Sequence, residues 1–160
     1  MRNQPDKLKL DAIDQAILAV LQVEGKISNV ALAERVHLSP SACLRRVKAL
    51  EDSHVIAQYV ALIDPKVVCQ PGTSFTIVNL EKLTQAARGA FEQAVCGVPE
   101  ILDCYYVAGT NDYLLRFTYC DAADLERFHT LVLEHLPGVV RSNSMLVLRT
   151  VKKTTALEVQ

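Results

Sequence analysis

The dipeptide Ser39-Pro40 constrains the fold most, because it opens a helix and suits few other conformations. A serine hydroxyl caps the first turn, and proline fits the first helical position, where its missing amide is not needed. The helix it predicts runs through Ser41, Ala42, Cys43, Leu44, Arg45, Arg46, Val47, Lys48 and Ala49 to Leu50. Two more helical stretches precede it. Leu10, Ile13, Ile17, Val20 and Leu21 recur at helical spacing between Asp11 as cap and Gly25 as stop. Ser28 then caps a short stretch containing Val30, Leu32 and Val36 that ends in the turn His37-Leu38. A helix that short does not stand alone in water, so the three are expected to pack on one another.

At 100° per residue, Cys43, Val47 and Leu50 share one face of the third helix, with Leu44 beside them. Ser41, Arg45, Lys48, Ala49 and Asp52 lie opposite, and Arg46 sits on the flank. Residues 39–50 carry three cations and no acid, whereas the whole chain has a formal charge of −1. Attraction of nucleic acid by bulk charge is thereby excluded, and any such contact must be local. Three short helices, the last exposing small and basic residues after a tight turn, suit a helix lying in a DNA major groove. Ser39, Ser41 and Ala42 permit close approach, and the amides at this helix start favour a phosphate. Arg45 is suited to guanine O6/N7, Ser41 to a base edge or phosphate, and Lys48 to phosphate, with Arg46 on the flank counted among the DNA-contacting residues. A β-branched run over residues 55–63, closed by Asp64-Pro65, predicts a strand that forms a wing or leads out of the unit.

Beyond Pro71-Gly72 the pattern alternates. Strands are predicted over residues 73–80, 101–108, 113–119 and about 139–151, with helices over 83–96 and from Asp121 to Leu136. The order β-α-β-β-α-β is that of a ferredoxin-like sandwich, giving an α+β chain with both helices on one face of an antiparallel sheet. The expected division is residues 1–54 as the helix-turn-helix domain, 55–70 as a linker strand, and 71–160 as a second domain suited to oligomerisation. The uncovered sheet face calls for a second copy, hence a homodimer. Such a dimer matches a palindromic operator with half-sites about 34–36 Å, or a multiple of that, apart.

In 160 residues, 50% hydrophobic and 22% charged, there is apolar surface enough for a packed core. No run approaches the roughly 18 apolar residues of a membrane helix, and residues 1–7 lack the apolar core of a signal peptide, so a cytoplasmic protein is expected. The five cysteines, Cys43, Cys69, Cys96, Cys104 and Cys120, are scattered and read as reduced core thiols. His129 and His135 do not align on one helix face, and no motif for a metal, nucleophile or phosphate loop is present. No catalytic residue, metal or cofactor is therefore assigned. The segment Gly109-Thr110-Asn111-Asp112-Tyr113 is a good turn. It also supplies amides for a carboxylate and an Asp112 carboxylate for an ammonium, which are the needs of an amino-acid ligand.

Several quoted stretches resemble the Lrp/AsnC, or feast/famine, family of transcriptional regulators. They are Leu10-Asp11-x-x-Asp14, Leu38-Ser39-Pro40-Ser41-x-Cys43-x-x-Arg46-Val47, and Gly109-x-x-Asp112-Tyr113-Leu114-Leu115. The ending Val151-Lys152-x-Thr154-x-Ala156-Leu157 is similar too. The resemblance implies a winged helix-turn-helix on double-stranded DNA, a ligand-sensing domain, dimers assembling to tetramers or octamers, and a small amino-acid effector held between dimers. Carried onto this chain, the effector region comprises Val107, Ala108, Gly109, Thr110, Asn111, Asp112 and Tyr113, with Ser142, Ser144, Met145 and Leu146 on the last strand. Met145 and Leu146 would line an apolar pocket, which favours a branched-chain amino acid or methionine. The chain departs from the family at Thr110, where an acid is common, at Ser144, where threonine is common, and at His54, where glycine is common. Two alternatives stand beside this reading: an effector-independent architectural DNA-binding protein, and a tetrapyrrole decarboxylase-like enzyme needing Arg116, Arg141 and His129 to converge.

Overall fold

A computed structural model describes residues 10–159; residues 1–7, whose sequence lacks the apolar core of a signal peptide, lie outside the described residues, as does Gln160. The chain divides into two units, Met1–Ala61 together with Lys152–Gln160, and Leu62–Val151. This differs from the expected boundaries at 54, 70 and 160. Ile56 and Val159 both pack on the helical core of the first unit, and that burial draws the two segments into it. The Gln22 side chain holds the tail by its backbone, donating to the Leu157 carbonyl (3.0 Å) and accepting from its amide (2.6 Å).

In the first unit, α1 spans Ala12–Leu21, α2 Asn29–Arg35 and α3 Pro40–Asp52. The expected caps form: Asp11 and Asp14 make a reciprocal capping box on α1, Ser28 caps α2 and Ser39 caps α3. Ile17, Leu32, Ala33, Cys43 and Leu50 make the buried centre. After α2, His37 takes a left-handed conformation (φ 54°), and after α3 His54 does the same (φ 57°). The Leu38 amide then returns to the Ala33 carbonyl (2.9 Å) and the His37 amide to Glu34 (3.3 Å), closing α2 by the arrangement that glycine usually serves. The expected strand over residues 55–63 is not formed. A β-branched run becomes a strand only beside a ladder partner. Here the Ile56 amide returns to the Leu50 carbonyl (3.1 Å) and the Tyr59 hydroxyl donates to Glu51 (3.0 Å).

The second unit runs β1 (Gly72–Leu80), α4 (Gln85–Cys96), β2 (Ile101–Tyr106), β3 (Tyr113–Tyr119), α5 (Ala122–Arg127) and β4 (Val139–Leu146). A π-helical turn, Phe128–Val132, and a 3-10 turn, Leu133–His135, extend α5. The sheet order is β2-β3-β1-β4, antiparallel throughout, which is the ferredoxin-like arrangement expected. β2 and β4 end earlier than the expected 108 and 151. Val78, Tyr113, Leu115 and Phe117 pack against Phe91 of α4 and Phe128 after α5, with Phe117 stacked on Phe128 at 3.8 Å between ring centres. The opposite sheet face presents Phe75, Ile77, Leu114 and Met145, register partners that no helix of this unit covers. The cysteines depart from the expected core thiols: all are free, but only Cys43 is buried, and Cys69, Cys96 and Cys120 are exposed.

Candidate DNA-binding and effector sites

Helix α3 begins where Ser39 Oγ accepts the Ala42 amide (3.3 Å), and Asn29 of α2 donates to the Pro40 carbonyl (2.8 Å), fixing one helix start on the other. Ser41, Arg45 and Lys48 are exposed to differing degrees, as is Ser39, while Ala42 is half-buried. The Ser39 and Ser41 hydroxyls lie 3.3 Å apart, so a group approaching Ser41 meets both. Fewer amides are free here than expected. Proline has none and that of Ala42 is used by the cap, which leaves Ser39 and Ser41 to face an anion.

Arg46 behaves differently from its neighbours. Its Nη1 donates to Asp11 Oδ2 (2.7 Å) and Asp14 Oδ1 (2.8 Å), tying α3 to the capping box of α1. Asp11 is held below the usual carboxylate range, first by the Asp14 amide it accepts and then by Arg46. Arg46, expected among the DNA contacts, carries two carboxylates on its guanidinium, and these tie it to the start of α1. Arg45 and Lys48 make no ion pair among the described residues, so they carry the positive charge of the face. Leu44, expected beside the core, is 57% exposed.

The hairpin between β2 and β3 is strapped to the end of β1. Val107 donates its amide to Asp112 O (2.9 Å), the Asp112 amide donates to Val78 O (3.2 Å), and Asn79 Nδ2 donates to Thr110 O (3.2 Å). One carboxylate oxygen of Asp112 accepts the Leu80 amide (2.8 Å), so this residue holds the loop whatever else it does. Gly109 has φ +134°, a conformation that L side chains avoid. Ala108, Gly109 and Thr110 are exposed, and Val107, Asn111 and Asp112 half-buried. Tyr113, expected in the effector region, has a buried side chain. Its ring is buried 4.5 Å from that of Phe91, and its hydroxyl donates to Glu92 (2.7 Å). Burial and then Glu92 push its ionisation well above the usual range.

Of the four expected residues on β4, Ser142 lies near the hairpin of its own chain and the other three lie farther along the strand. Ser142 pairs with Val78, close to the loop, and is exposed. Leu146 pairs with Ser74 four residues back along β1, about 13 Å away at strand spacing. Met145 and Leu146 are consecutive in a strand and point to opposite faces, so they do not line one pocket of a single chain. Ser144 is half-buried in a chain of polar groups, 2.7 Å from Thr76 Oγ1 and 3.1 Å from His129 Nε2. Ser74 and Thr76 lie fully buried at inward positions of β1. Sequence reasoning missed them, along with Asn79 and Glu92; the only signal was hydroxyls where the alternation called for apolar residues. Arg116 and Arg141 pair with Phe75 and Asn79 on the open sheet face, while His129 lies on the helical face, so the three do not gather into one polycarboxylate site. Arg116 is moreover paired with Asp103. Among the described residues no cluster of three or more His, Cys, Asp or Glu side chains is placed to hold a metal ion.

Residues 10–51 match the AsnC-type helix-turn-helix domain and residues 73–157 the Lrp/AsnC ligand binding domain. A leucine-responsive regulatory protein of Haemophilus influenzae is 38% identical over 148 residues, covering 92% of this chain and 89% of the relative. The Bkd operon transcriptional regulator of Pseudomonas aeruginosa is 35% identical over 148 residues, 92% and 97% of the two chains. Among solved structures, a transcriptional regulator of Neisseria meningitidis in complex with L-methionine superposes with a TM-score of 0.89 at 40% identity, covering 92% of this chain and 96% of that one.

Proposed function

The chain belongs to the Lrp/AsnC family of transcriptional regulators, and from that premise we propose that α3 reads duplex DNA and that a small amino acid governs its grip. The exposed, acid-free face of α3 carries the proposal. Arg45 contacts a base edge, Ser41 and Lys48 the backbone or a neighbouring base, and the starts at Ser39 and Ala42 let the helix approach closely. Arg46 holds the helix at its angle through Asp11 and Asp14.

The effector reading rests on the hairpin. Exposed amides at Ala108, Gly109 and Thr110 suit a carboxylate, and the free oxygen of Asp112 suits an ammonium. Because Met145 and Leu146 lie far from this loop along β4, an apolar wall that includes either must come from another copy of the chain. That geometry favours a ligand held between subunits, with Ser142 near the loop on its own chain. The uncovered sheet face carrying Phe75, Ile77 and Leu114 supports a homodimer, and a seam between dimers supports tetramers or octamers. A ligand bound at such a seam shifts assembly because an isolated dimer offers it fewer contacts. The coupling is of the order of 1–3 kcal/mol. L-methionine is the first effector to test, since the similar Neisseria protein was solved with it; branched-chain amino acids come next. No helix among the described residues is long and apolar enough to cross a membrane, and the protein is assigned to the cytoplasm, without catalytic activity.

The experiment is a mobility-shift titration on DNA upstream of the protein's own gene, with and without the twenty amino acids, run beside a sizing measurement. A specific shift altered by one amino acid supports the reading. A specific shift with unchanged affinity and assembly turns it toward the architectural alternative, and absence of any shift overturns it.

A further inference from the structure

Two of the exposed cysteines stand against each other, at the end of β3 remote from the effector hairpin. Residues 64–70, which lead into β1, fold into a compact turn: Lys66 N–H donates to Asp64 Oδ1 (3.0 Å) and Gln70 N–H to Pro65 O (2.8 Å). Cys69 closes that turn in a left-handed conformation (φ 56°). The turn is docked on the end of β3 at two points. Thr118 Oγ1 donates to Gln70 Oε1 (2.6 Å), and the Cys120 thiol donates to the Cys69 carbonyl. A carbonyl oxygen lies about 2.4 Å from its own Cα, so the Cys120 sulfur is about 6 Å or less from the Cys69 Cα even at a long S–H···O contact. Joining the two sulfurs then requires the Cys120 side chain to turn from the Cys69 carbonyl toward the Cys69 side chain, and the two Cα atoms to come within about 7 Å of each other. Both cysteines are free, and both residues are exposed.

We propose that Cys69 and Cys120 form a reversible intrachain disulfide when the protein meets a peroxide. The Cys69 thiolate attacks the peroxide, the O–O bond breaks, and a sulfenic acid and water result. The Cys120 thiolate attacks that sulfur, the S–O bond breaks, the S–S bond forms and a second water leaves. The two thiols lose two electrons and two protons, and the peroxide takes up both. Cys120 is assigned the second step because desolvation, then Asp124, then the Cys69 thiol push its ionisation up, which slows attack on peroxide in bulk solvent. The bond would weld the connector that enters β1 to the segment between β3 and α5. The inference is independent of any effector.

The test treats the full-length protein with hydrogen peroxide, blocks the remaining thiols, and maps peptides by mass spectrometry without reduction. A linked pair containing Cys69 and Cys120 is expected in the monomeric band, with an intact mass lower by about 2 Da, returned to the starting mass by dithiothreitol. C69S and C120S should each abolish the link, and C96S should keep it. Oxidation of either cysteine to sulfinic acid without the linked peptide overturns the proposal. So does linkage chiefly to cysteines of another chain, or oxidation confined to Cys96.

Discussion

Nη1 of Arg46 lies 2.8 Å from Oδ1 of Asp14, so the helix proposed to read DNA is pinned to the first turn of α1 by a charge that faces away from the exposed basic face. Two adjacent arginines on α3 therefore have separable tasks. Arg45→Ala should weaken specific DNA binding by about 1–3 kcal/mol and relax the sequence preference at the base it reads, with the slope of log K against log salt little changed and stability changed by no more than about 0.5 kcal/mol. Arg46→Ala should lower the thermal midpoint and weaken binding to all DNA sequences alike. Binding isotherms at several salt concentrations, with melting curves on the same samples, distinguish the two.

The pair with Asp11 also sets an acid limit. A carboxyl whose folded pKa lies below its unfolded value of about 3.9 stabilises the fold above that pH, and the contribution disappears as pH falls through the folded value. Asp124, held down by the Cys120 amide and then by Arg127, follows the same sign. Stability should be flat near neutrality and decline below about pH 4. Arg46→Ala should make that decline shallower in urea titrations run across pH.

His37 closes α2 in a conformation that costs an L residue about 1 kcal/mol and glycine nearly nothing. His37→Gly is expected to stabilise the first unit by up to about that amount, a gain readable as a higher urea midpoint at unchanged m.

Gly109 presents the reverse case. A Cβ there would meet nothing within 4 Å, yet φ is +134°. Gly109→Ala should therefore cost about 1–2 kcal/mol through backbone strain alone, or reshape the hairpin. Calorimetric titration with L-methionine would register the reshaping as lost affinity.

Tyr113→Phe keeps the ring against Phe91 and removes the hydroxyl that donates to Glu92. A loss of about 1 kcal/mol in chemical denaturation is expected, with effector affinity unchanged because the side chain is buried away from the loop.

The caps were legible because each is local chemistry: Asp11, Ser28, Ser39 and Asp121 each accept an amide two or three residues ahead. The strand and helix order of the second unit was legible for a similar reason, since its alternation and turn residues are short-range signals. Three features were not. The run over 55–63 looks like a strand because propensity carries no knowledge of a partner. Arg46 looks like an unpaired DNA contact because its carboxylates are 32 and 35 residues away. Met145 and Leu146 look like one pocket because sequence adjacency conceals the strand's alternation and the register that sets Leu146 opposite Ser74.

The tail that ends against α1 makes residues 62–151 an insertion within the DNA-binding unit and not an appendage to it. A gene fragment stopped at residue 61 would leave Val159 out of the helical core, so it is a poor stand-in for the domain. A fluorescent protein fused behind the tail would report on the DNA-binding half. The second unit is joined to the first by chain at both of its ends, after residue 61 and before residue 152.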